Sequence, residues 1–367
     1  MKRIRGYKYR AYPNSNQRAF FQKCFGCCRF VFNHYLSYRK KAWDARHESV
    51  SYPDTSRDLT HVLKKENPWL KEADSIALQQ SLRHLDTAYS NFFQKRSGYP
   101  KFRSKRGAQS YRTMNVNGSL RISKRAIRVS KAGWVKIRNS RDFDGRIISA
   151  TISQAVSGKY YISLQVEEEY VILPNDGGVI GLDAGIKVLY TDSFARYVEN
   201  PKTLAKHEKR LKRLQRSMSR KRRGSKNREK ARKRLAIEHE KVASIRNDFQ
   251  HKETYRLANE NQVVCVEDLN VRGMMKNHRL AKSISDVSWS EFYRKLEYKL
   301  EDRGGILVKV PRTFPSSQLC FNCGSRNHAV KDLSIRTWRC PVCGEVLGRD
   351  TNAAINILEK GMEMLAS

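Results

Sequence analysis

The sequence predicts an α+β protein of several domains. A compact β-barrel with a helical insertion is expected to precede an α/β domain and a metal-binding segment. Three observations support this fold class. Short strands and turns alternate at intervals of roughly ten residues between residues 119 and 166. Three separated carboxylates, Asp183, Glu267 and Asp350, each end or open an apolar run. Two C-x-x-C pairs lie between Glu267 and Asp350, and 367 residues leave room for two or three domains.

The composition points to a polyanionic partner. The chain has 73 Lys and Arg against 36 Asp and Glu, a formal net charge of +37. A surface this positive repels itself, and a bound polyanion relieves that repulsion. Nucleic acid is the first candidate and an anionic membrane the second. Because the sequence has no apolar run of about 18 residues and no secretion signal, we expect no membrane partner and a cytosolic location.

The N-terminal third predicts a strand, then helices, then the barrel strands. Residues 1–12 alternate bulky and basic side chains, which is typical of a strand with one cationic face. Apolar residues at steps of three and four predict a helix from Ser15, with Cys24, Cys27 and Cys28 as core residues. Further helices are expected from Ser56 and over residues 74–94. The first strand would complete the barrel, which makes the helices an insertion into it.

A strongly basic segment follows a short linker at residues 173–178. Residues 202–234 contain 17 Lys or Arg and two Glu, and Gly224-Ser225 interrupts an otherwise helical pattern. The pattern predicts a helical hairpin. A charge run is often only a solvated helix face, but one sign at this density favours contact with a phosphate backbone. The arginines that we assign to this contact are Arg210, Arg213, Arg220, Arg222 and Arg223.

The three carboxylates are candidates for a divalent-metal site. Asp183 lies in V-I-G-L-D-A-G-I-K, Glu267 ends V-V-C-V-E, and Asp350 opens the last predicted helix. Acids delivered by separate elements of a sheet can hold divalent ions for phosphodiester chemistry. Each also has a simpler interpretation, because Asp183 could be a turn residue and Asp350 a helix N-cap. Alternation along the strand separates Glu267 from Asp268, which we expect in a turn or cap.

The most specific motif is a four-cysteine set. Cys320-Phe-Asn-Cys323 and Cys340-Pro-Val-Cys343 are separated by 16 residues, a spacing typical of a zinc ribbon. Four thiolates fill a tetrahedral ion and leave no open position, so we expect one structural Zn²⁺ and no catalysis there. His328, between the two pairs, is interpreted as a surface residue.

Taken in chain order, these motifs resemble the transposon-encoded TnpB (OrfB) family, which is related to miniature type V CRISPR effectors. The matching segments cover nearly the whole chain. They are G-C-C-R-F-V-F-N at 26–33, Y-P-K-F-R-S-K at 99–105, G-L-D-A-G-I-K at 181–187, V-E-D-L-N at 266–270, F-P-S-S-Q-L-C-F-N-C-G at 314–324, W-R-C-P-V-C-G at 338–344 and R-D-T-N-A-A-I-N-I-L at 349–358.

The resemblance implies a particular domain organisation. An oligonucleotide-binding-like barrel, the wedge domain, would comprise residues 1–14 and 98–172, with the recognition insertion at residues 15–97. An RNase-H-like (RuvC) nuclease domain would comprise residues 178–313 and 347–367. The zinc ribbon at residues 314–346 would split that domain.

The resemblance also implies an activity. The protein would bind a guide RNA made from the transposon end, one protein per RNA, in the nucleoid of a prokaryotic cell. It would cleave double-stranded DNA beside a short flanking motif, with Asp183, Glu267 and Asp350 holding two Mg²⁺ ions. Tyr52, Ser56 and Gln79 match positions near the family's surface for reading the flanking motif.

The chain departs from the family pattern at two places, and three alternative functions stay open. Leu347-Gly348 stands where relatives often have His-Asp, and the chain stops soon after its last helix. The alternatives are a CRISPR-associated effector of the same fold, a non-cleaving RNA-guided DNA binder, and a zinc-ribbon nucleic-acid-binding protein without a metal-ion active site. All three acids are present, which favours a nuclease.

Overall fold

The computed structural model describes residues 2–172 and 177–367. The chain divides into two compact units, Met1–Tyr170 and Val171–Ser367. Residues 173–176 of the predicted linker lie outside the described residues. The division between the units falls beside that linker.

The first unit is a seven-stranded antiparallel sheet with helices inserted after its first strand. Its strands are β1 (Lys2–Tyr12), β2 (Gln109–Met114), β3 (Arg121–Ile122), β4 (Ala126–Val129), β5 (Gly133–Arg138), β6 (Arg146–Gln154) and β7 (Tyr160–Glu169). The spatial order is β2-β6-β7-β1-β5-β4-β3. The opening strand therefore pairs between β7 and β5, as predicted. Strand β2 was not predicted.

The inserted helices lie between β1 and β2. They are α1 (Ser15–Arg46), α2 (Tyr52–Asp58), α3 (Lys64–Glu66) and α4 (Ser75–Phe93), with a π-helical turn at Leu59–Leu63 and a 3₁₀ turn at Pro68–Glu72. The predicted start of the second helix at Ser56 is wrong. Helix α2 begins at Tyr52, because Ser51 and Asp54 form a reciprocal capping pair and Pro53 suits the first turn.

Helices and sheet share one hydrophobic core in this unit. The rings of Phe21 and Phe25 on α1 lie 6.2 and 5.8 Å from the Tyr111 ring on β2. Cys24 and Cys28 are buried in the same core, and burial raises the pKa of each thiol to about 12. Thiols this hard to ionise are inert packing residues, as predicted.

The second unit is built on a five-stranded sheet. Its strands are β8 (Gly178–Ala184), β9 (Val188–Asp192), β10 (Tyr197–Glu199), β11 (Asn261–Glu267) and β12 (Ile306–Val310), in the order β10-β9-β8-β11-β12. Strands β8, β11 and β12 are parallel, whereas β9 and β10 are antiparallel to their neighbours. Its helices are α5 (Thr203–Ser219), α6 (Lys226–Glu260), α7 (Val271–Met274), α8 (Ala281–Val287), α9 (Trp289–Glu301) and α10 (Arg349–Ala366).

The two faces of this sheet bury different helices. Leu182 and Val266 belong to a core cluster with residues of α6, α8 and α9, whereas Cys265 and Val308 pack with Ile357 of α10. Two glycines allow the close approach of α10. A Cβ on Gly181 would lie 2.1 Å from the Ala354 carbonyl oxygen, and one on Gly361 would lie 2.3 Å from Cys265 Sγ.

A small two-stranded sheet, β13 (Thr337–Arg339) and β14 (Val346–Gly348), precedes α10. Leu347 of β14 is buried with Cys320, Val330 and Trp338. Leu347, which departs from the family pattern, therefore has a packing role.

Among the described residues, none of the helices combines the length and apolar character that a membrane span requires.

Candidate active site and metal centre

Asp183 and Glu267 end two adjacent parallel strands on the same face of the sheet. Cys265 pairs with Gly181 and Val266 with Leu182 in the register of β8 and β11. Side chains two residues apart share a face, so Asp183 and Glu267 follow Gly181 and Cys265 on the α10 side. The strand ends therefore present two neighbouring carboxylates to the start of that helix.

Asp350 reaches this edge from the first turn of α10. Ala354, one turn after Asp350, packs against Gly181, two residues before Asp183, and the charge of Asp350 acts on Asp183. The N-cap of α10 is Gly348, and no side chain caps the helix. Asp350 is therefore not the N-cap, and its partly exposed carboxylate instead lies 3.4 Å from Arg336 Nη1.

The electrostatics of the site act most clearly on Asp183. Burial raises the pKa of Asp183 to about 8, with further contributions from the charges of Asp350 and Glu267, while Arg349 and Arg336 oppose the shift. Burial also raises the pKa of Glu267, as does the charge of Asp268. The nearby arginines thus leave negative charge at this site incompletely compensated. A cation bound there would supply the missing compensation.

The neighbouring charged residues have other partners. Asp268, which we expected in a turn or cap, instead forms an ion pair with Arg312, whose Nη2 lies 2.7 Å from its carboxylate. The Arg349 guanidinium is buried and donates to the Asp332 carbonyl oxygen at 3.0 Å. Of the cations that act on Asp183, Arg336 is thus the one with an exposed side chain.

The three acids fit a divalent-ion site by their donor chemistry. Carboxylate oxygens are the ligands that Mg²⁺ prefers, and three acids at one sheet edge provide several of them. Within the part of the chain that the structure describes, only the cysteine set has three or more ligand atoms all within 4.8 Å of one another.

The four cysteines converge as predicted. Cys320 Sγ lies 3.6 Å from Cys343 Sγ, and Cys323 Sγ lies 3.6 Å from Cys340 Sγ. A tetrahedral Zn²⁺ with bonds of about 2.3 Å needs sulfurs about 3.8 Å apart, so the set fits zinc. Backbone amides and Ser325 lower the pKa of Cys340 to about 6, which favours the thiolate that zinc requires. His328 is exposed, as expected.

Each C-x-x-C pair forms the same turn. The amides of Gly324 and Gly344 donate to the carbonyl oxygens of Cys320 and Cys340 at 2.8 and 3.0 Å. Both glycines have positive φ, 70° and 74°. This left-handed conformation favours glycine and explains its place after each pair.

Two buried asparagines join the zinc turn to the helix that bears Asp350. Asn352 Oδ1 accepts from the Phe321 amide at 3.0 Å, and its Nδ2 donates to the Leu319 carbonyl oxygen at 2.6 Å. Asn356 Nδ2 donates to the same carbonyl oxygen at 2.8 Å. We did not predict these residues as part of the site. Their spacing of four residues in R-D-T-N-A-A-I-N, one polar pair on an apolar helix face, was the available signal.

The three residues proposed to read the flanking motif lie together in the first unit. Gln79 Oε1 on α4 accepts from Ser56 Oγ at 2.9 Å and from Tyr52 Oη at 3.4 Å. The Arg83 guanidinium lies 4.6 Å from the Tyr52 ring centroid. Since Ser56 and Tyr52 both bond the amide oxygen, the Gln79 Nε2 group remains directed to other acceptors.

The predicted helical hairpin consists of α5 and α6. Glu238 of α6 is buried and binds His207 Nδ1 at 2.7 Å and Arg210 Nε at 2.8 Å. Arg210 thus helps to join the two helices. The other four arginines assigned to nucleic acid are solvent-exposed: Arg213, Arg220, Arg222 and Arg223.

Comparison with known proteins identifies the class. The chain matches "Probable transposase" (OrfB_IS605) over residues 162–278, "Cas12f1-like, TNB domain" over residues 289–357 and a helix-turn-helix domain over residues 1–48. Its fold resembles the protein in a Cas12f1–sgRNA–target DNA complex, with a TM-score of 0.60 and 12% identity over 97% of this chain and 98% of that one. It also resembles the mini-RNA-guided endonuclease CRISPR-Cas phi3, with a TM-score of 0.54 and 9% identity over 98% and 92%.

The chain belongs to the TnpB (OrfB, IS605) family. A Streptomyces pristinaespiralis protein named "Putative RNA-guided DNA endonuclease" is 41% identical over 98% of this chain and 89% of its own length. InsQ of Escherichia coli (strain K12), which bears the same descriptive name, is 36% identical over 100% and 94%. The predicted family is therefore confirmed.

Proposed function

We propose that this protein is an RNA-guided DNA endonuclease. The observation that supports the proposal is the pair of carboxylates, Asp183 and Glu267, at the carboxyl ends of two adjacent parallel strands, with the charge of Asp350 acting on Asp183. Relatives at 36–41% identity over nearly the whole chain carry names that describe this activity. The guide would be an RNA from the transposon end, bound one per protein, and the target double-stranded DNA beside a flanking motif.

The chemistry proposed for the acidic site is hydrolysis of a phosphodiester. Two Mg²⁺ ions, when bound, would supply an activated water molecule and stabilise the departing 3′-oxygen. Asp183 would contribute to binding both ions. Glu267 and Asp350 would each hold one ion and fix its position. Arg336, exposed beside Asp350, would attract the scissile phosphate.

The domain assignments are part of the same proposal. The antiparallel β8–β10 and the parallel β11 and β12 suit an RNase-H-like (RuvC) domain at residues 178–313 and 347–367. The ribbon at residues 314–346 would hold one Zn²⁺. The sheet of residues 1–14 and 98–172 would be the wedge domain, with residues 15–97 as its recognition insertion.

The nucleic-acid contacts follow from charge and from hydrogen-bond donors. The exposed arginines of α5 and the turn after it would bind phosphates, so that sequence is read by pairing with the guide. In the first unit, Gln79 with Tyr52 and Ser56 would contact base edges of the flanking motif. The protein would act in the cytoplasm at the nucleoid.

The test begins with RNA that co-purifies with the protein. Sequencing that RNA gives the guide, and the complex is then given plasmids that carry the matching target beside randomised flanks. We expect Mg²⁺-dependent double-strand cleavage beside one flanking motif, and none by Asp183→Ala protein that still binds RNA and target. Binding without cleavage by the wild-type complex would favour a non-cleaving binder. A repeat array beside the gene would instead indicate a CRISPR-associated effector.

A further inference from the structure

The carboxyl end of α4 exposes a group of aromatic rings that belong neither to the acidic site nor to the flanking-motif set. Phe93, the last residue of α4, is 74% exposed. Its ring lies 6.3 Å from the Tyr89 ring at an interplanar angle of 22°. The exposed Tyr99 meets Tyr89 and Phe92 edge to face. We call Tyr89, Phe92, Phe93 and Tyr99 the aromatic cluster, and most of its Phe93 ring is open to solvent.

The segment that follows the aromatic cluster is held against α1. Asn33 Oδ1 accepts from the Arg103 amide at 2.8 Å, and Asn33 Nδ2 donates to the Arg103 carbonyl oxygen at 2.9 Å. The Arg103 guanidinium lies 3.7 Å from the Phe32 ring centroid. Although its backbone is fixed in this way, the segment leaves Lys101 and Phe102 exposed. Side chains presented on a fixed backbone lose less conformational entropy when they bind a partner.

The charge around the aromatic cluster has one sign. Residues 87–141 contain 15 Lys or Arg and no Asp or Glu. Asp86, just before this stretch, is paired with Arg39 at 3.1 Å. Solvated surfaces usually mix both signs, so this stretch is complementary to a polyanion. Among the described residues, five exposed cations that flank the cluster in sequence form no ion pair: Lys95, Arg96, Lys101, Lys105 and Arg106.

Exposed rings among such cations match the chemistry of an unpaired nucleotide. Aromatic side chains stack on bases that are not paired, while nearby cations bind the phosphates. Gln79, assigned to the flanking motif, lies near the start of the same helix, about 21 Å from Phe93 at 1.5 Å per residue. The flanking DNA is a duplex, so its bases are not free to stack. A guide RNA, in contrast, offers unpaired bases in loops and bulges.

We propose that the aromatic cluster is a stacking site for an unpaired base of the guide RNA, with Phe93 as the ring that contacts the base. This inference rests on the proposed function, because it requires a bound guide RNA. Lys95, Arg96 and Lys101 bind the phosphates on either side of the stacked nucleotide. The site therefore contributes to retention of the RNA and takes no part in phosphodiester chemistry.

The test measures how long the co-purified RNA stays bound to the full-length protein. Each complex is immobilised through the protein and washed with excess heparin, and the RNA that remains is quantified over time by reverse transcription. Phe93→Leu keeps an apolar side chain but loses the ring, and it should release RNA about tenfold faster than wild type. Phe93→Trp, which keeps a ring, should release RNA no faster than wild type. Lys101→Gln should make release depend less steeply on salt, because one phosphate contact is lost.

Trp43→Leu is the matched control for Phe93→Leu. Trp43 on α1 is also exposed, 55%, but the nearby Arg46 pairs with Glu48 at 3.2 Å, so its surroundings carry both signs. This variant should retain RNA as wild type does. Ultraviolet cross-linking of the wild-type complex should join RNA to a peptide that contains Phe93 or Tyr99.

Three results would overturn the stacking site. They are wild-type RNA retention by Phe93→Leu, an equal loss in Trp43→Leu, and cross-links from the aromatic cluster to target DNA alone. Wild-type protein that carries no RNA would instead contradict the proposed function, and this inference with it. That outcome is distinct, because it is seen before any variant is compared.

Discussion

Arg336 Nη1 lies 3.4 Å from both carboxylate oxygens of Asp350, although the two residues belong to different elements. Arg336 immediately precedes β13 of the ribbon, and Asp350 lies in the first turn of α10. Both side chains are open to solvent, 61% exposed for Arg336 and 39% for Asp350, so the pair contributes little to stability. Its significance is positional, because it brings a guanidinium to the edge of the acidic site.

We predict that Arg336→Ala slows DNA cleavage by at least about tenfold at saturating Mg²⁺, since charge-assisted hydrogen bonds to phosphate are worth about 1.5–3 kcal/mol. RNA binding and target binding should remain near wild type. Single-turnover cleavage and filter binding measure the two quantities separately.

Arg339→Ala is the control for this variant. Arg339 lies three residues further along the same ribbon segment, and its guanidinium donates to the Gly344 carbonyl oxygen at 3.0 Å. It should cleave at the wild-type rate. Equal losses in both variants would indicate a general effect of ribbon charge and would contradict a specific role for Arg336.

The sequence predicted those parts of the fold that depend on local patterns. Alternation in β1 and in β11, the apolar steps of α1 and the cysteine spacing each fix an element or a site within a short segment. Strand β2 was missed because Gln109–Met114 has polar residues at four of its six positions. It is stabilised by its antiparallel pairing with β6, a long-range contact that local pattern does not reveal.

The candidate site shows the same limit. Asp183, Glu267 and Asp350 were identifiable because each carboxylate interrupts an apolar run. The roles of Gly181 and Gly361 were not, since they depend on how closely α10 approaches the sheet.

The hydrogen bonds that join α10 to the zinc turn give a second prediction. Asn352→Ala removes the acceptor for the Phe321 amide and a donor to the Leu319 carbonyl oxygen. We expect a loss of about 1–3 kcal/mol in stability, because buried polar groups are left unsatisfied. Cleavage should fall further than stability alone explains, since Asp350 is two residues away. Asn322→Ala, exposed in the same turn, is the control and should change neither quantity.

A third prediction concerns recognition of the flanking motif. Gln79→Glu keeps the oxygen that accepts from Ser56 and Tyr52 but removes the amide donor. Stability should therefore change little, while preference at one flanking position should relax, because one base contact is worth about 1–3 kcal/mol. Cleavage of a randomised-flank library measures the preference. An unchanged preference in both Gln79→Glu and Gln79→Ala would exclude Gln79 from base recognition.

Zinc retention should depend on pH. The pKa of Cys340 is lowered to about 6 by backbone amides and Ser325, so its thiolate dominates at neutral pH. Protons compete with zinc for thiolates, and zinc release should therefore accelerate as the pH falls. A colorimetric zinc chelator follows the release at pH 5 to 8. Cys340→Ser should bind less zinc across this range and should destabilise the second unit. Active protein without zinc would contradict the structural role.

The Asp183→Asn variant distinguishes the chemical role of this carboxylate from the loss of stability that its ionised form causes in the metal-free fold. The ordinary pKa of aspartate is about 3.9, whereas the pKa of Asp183 in the folded protein is raised to about 8. The protonated form is therefore the one that the metal-free fold favours. The stability that protonated Asp183 contributes to the metal-free fold is fully present below about pH 4. It is lost as the pH rises through about 8.

Asparagine cannot ionise, so the metal-free Asp183→Asn protein should become more stable than wild type as the pH rises from 5 to 8. With Mg²⁺ at pH 8 the order should reverse, because only wild type binds the ions fully. Cleavage by the variant should fall below about one hundredth of the wild-type rate, since even outer partners of a metal site are worth about 10–100-fold. RNA and target binding should persist. Asp268→Asn, whose carboxylate bonds Arg312 instead, should cleave normally. Near wild-type cleavage by Asp183→Asn would refute the site, and lost RNA binding would show that Asp183 is structural.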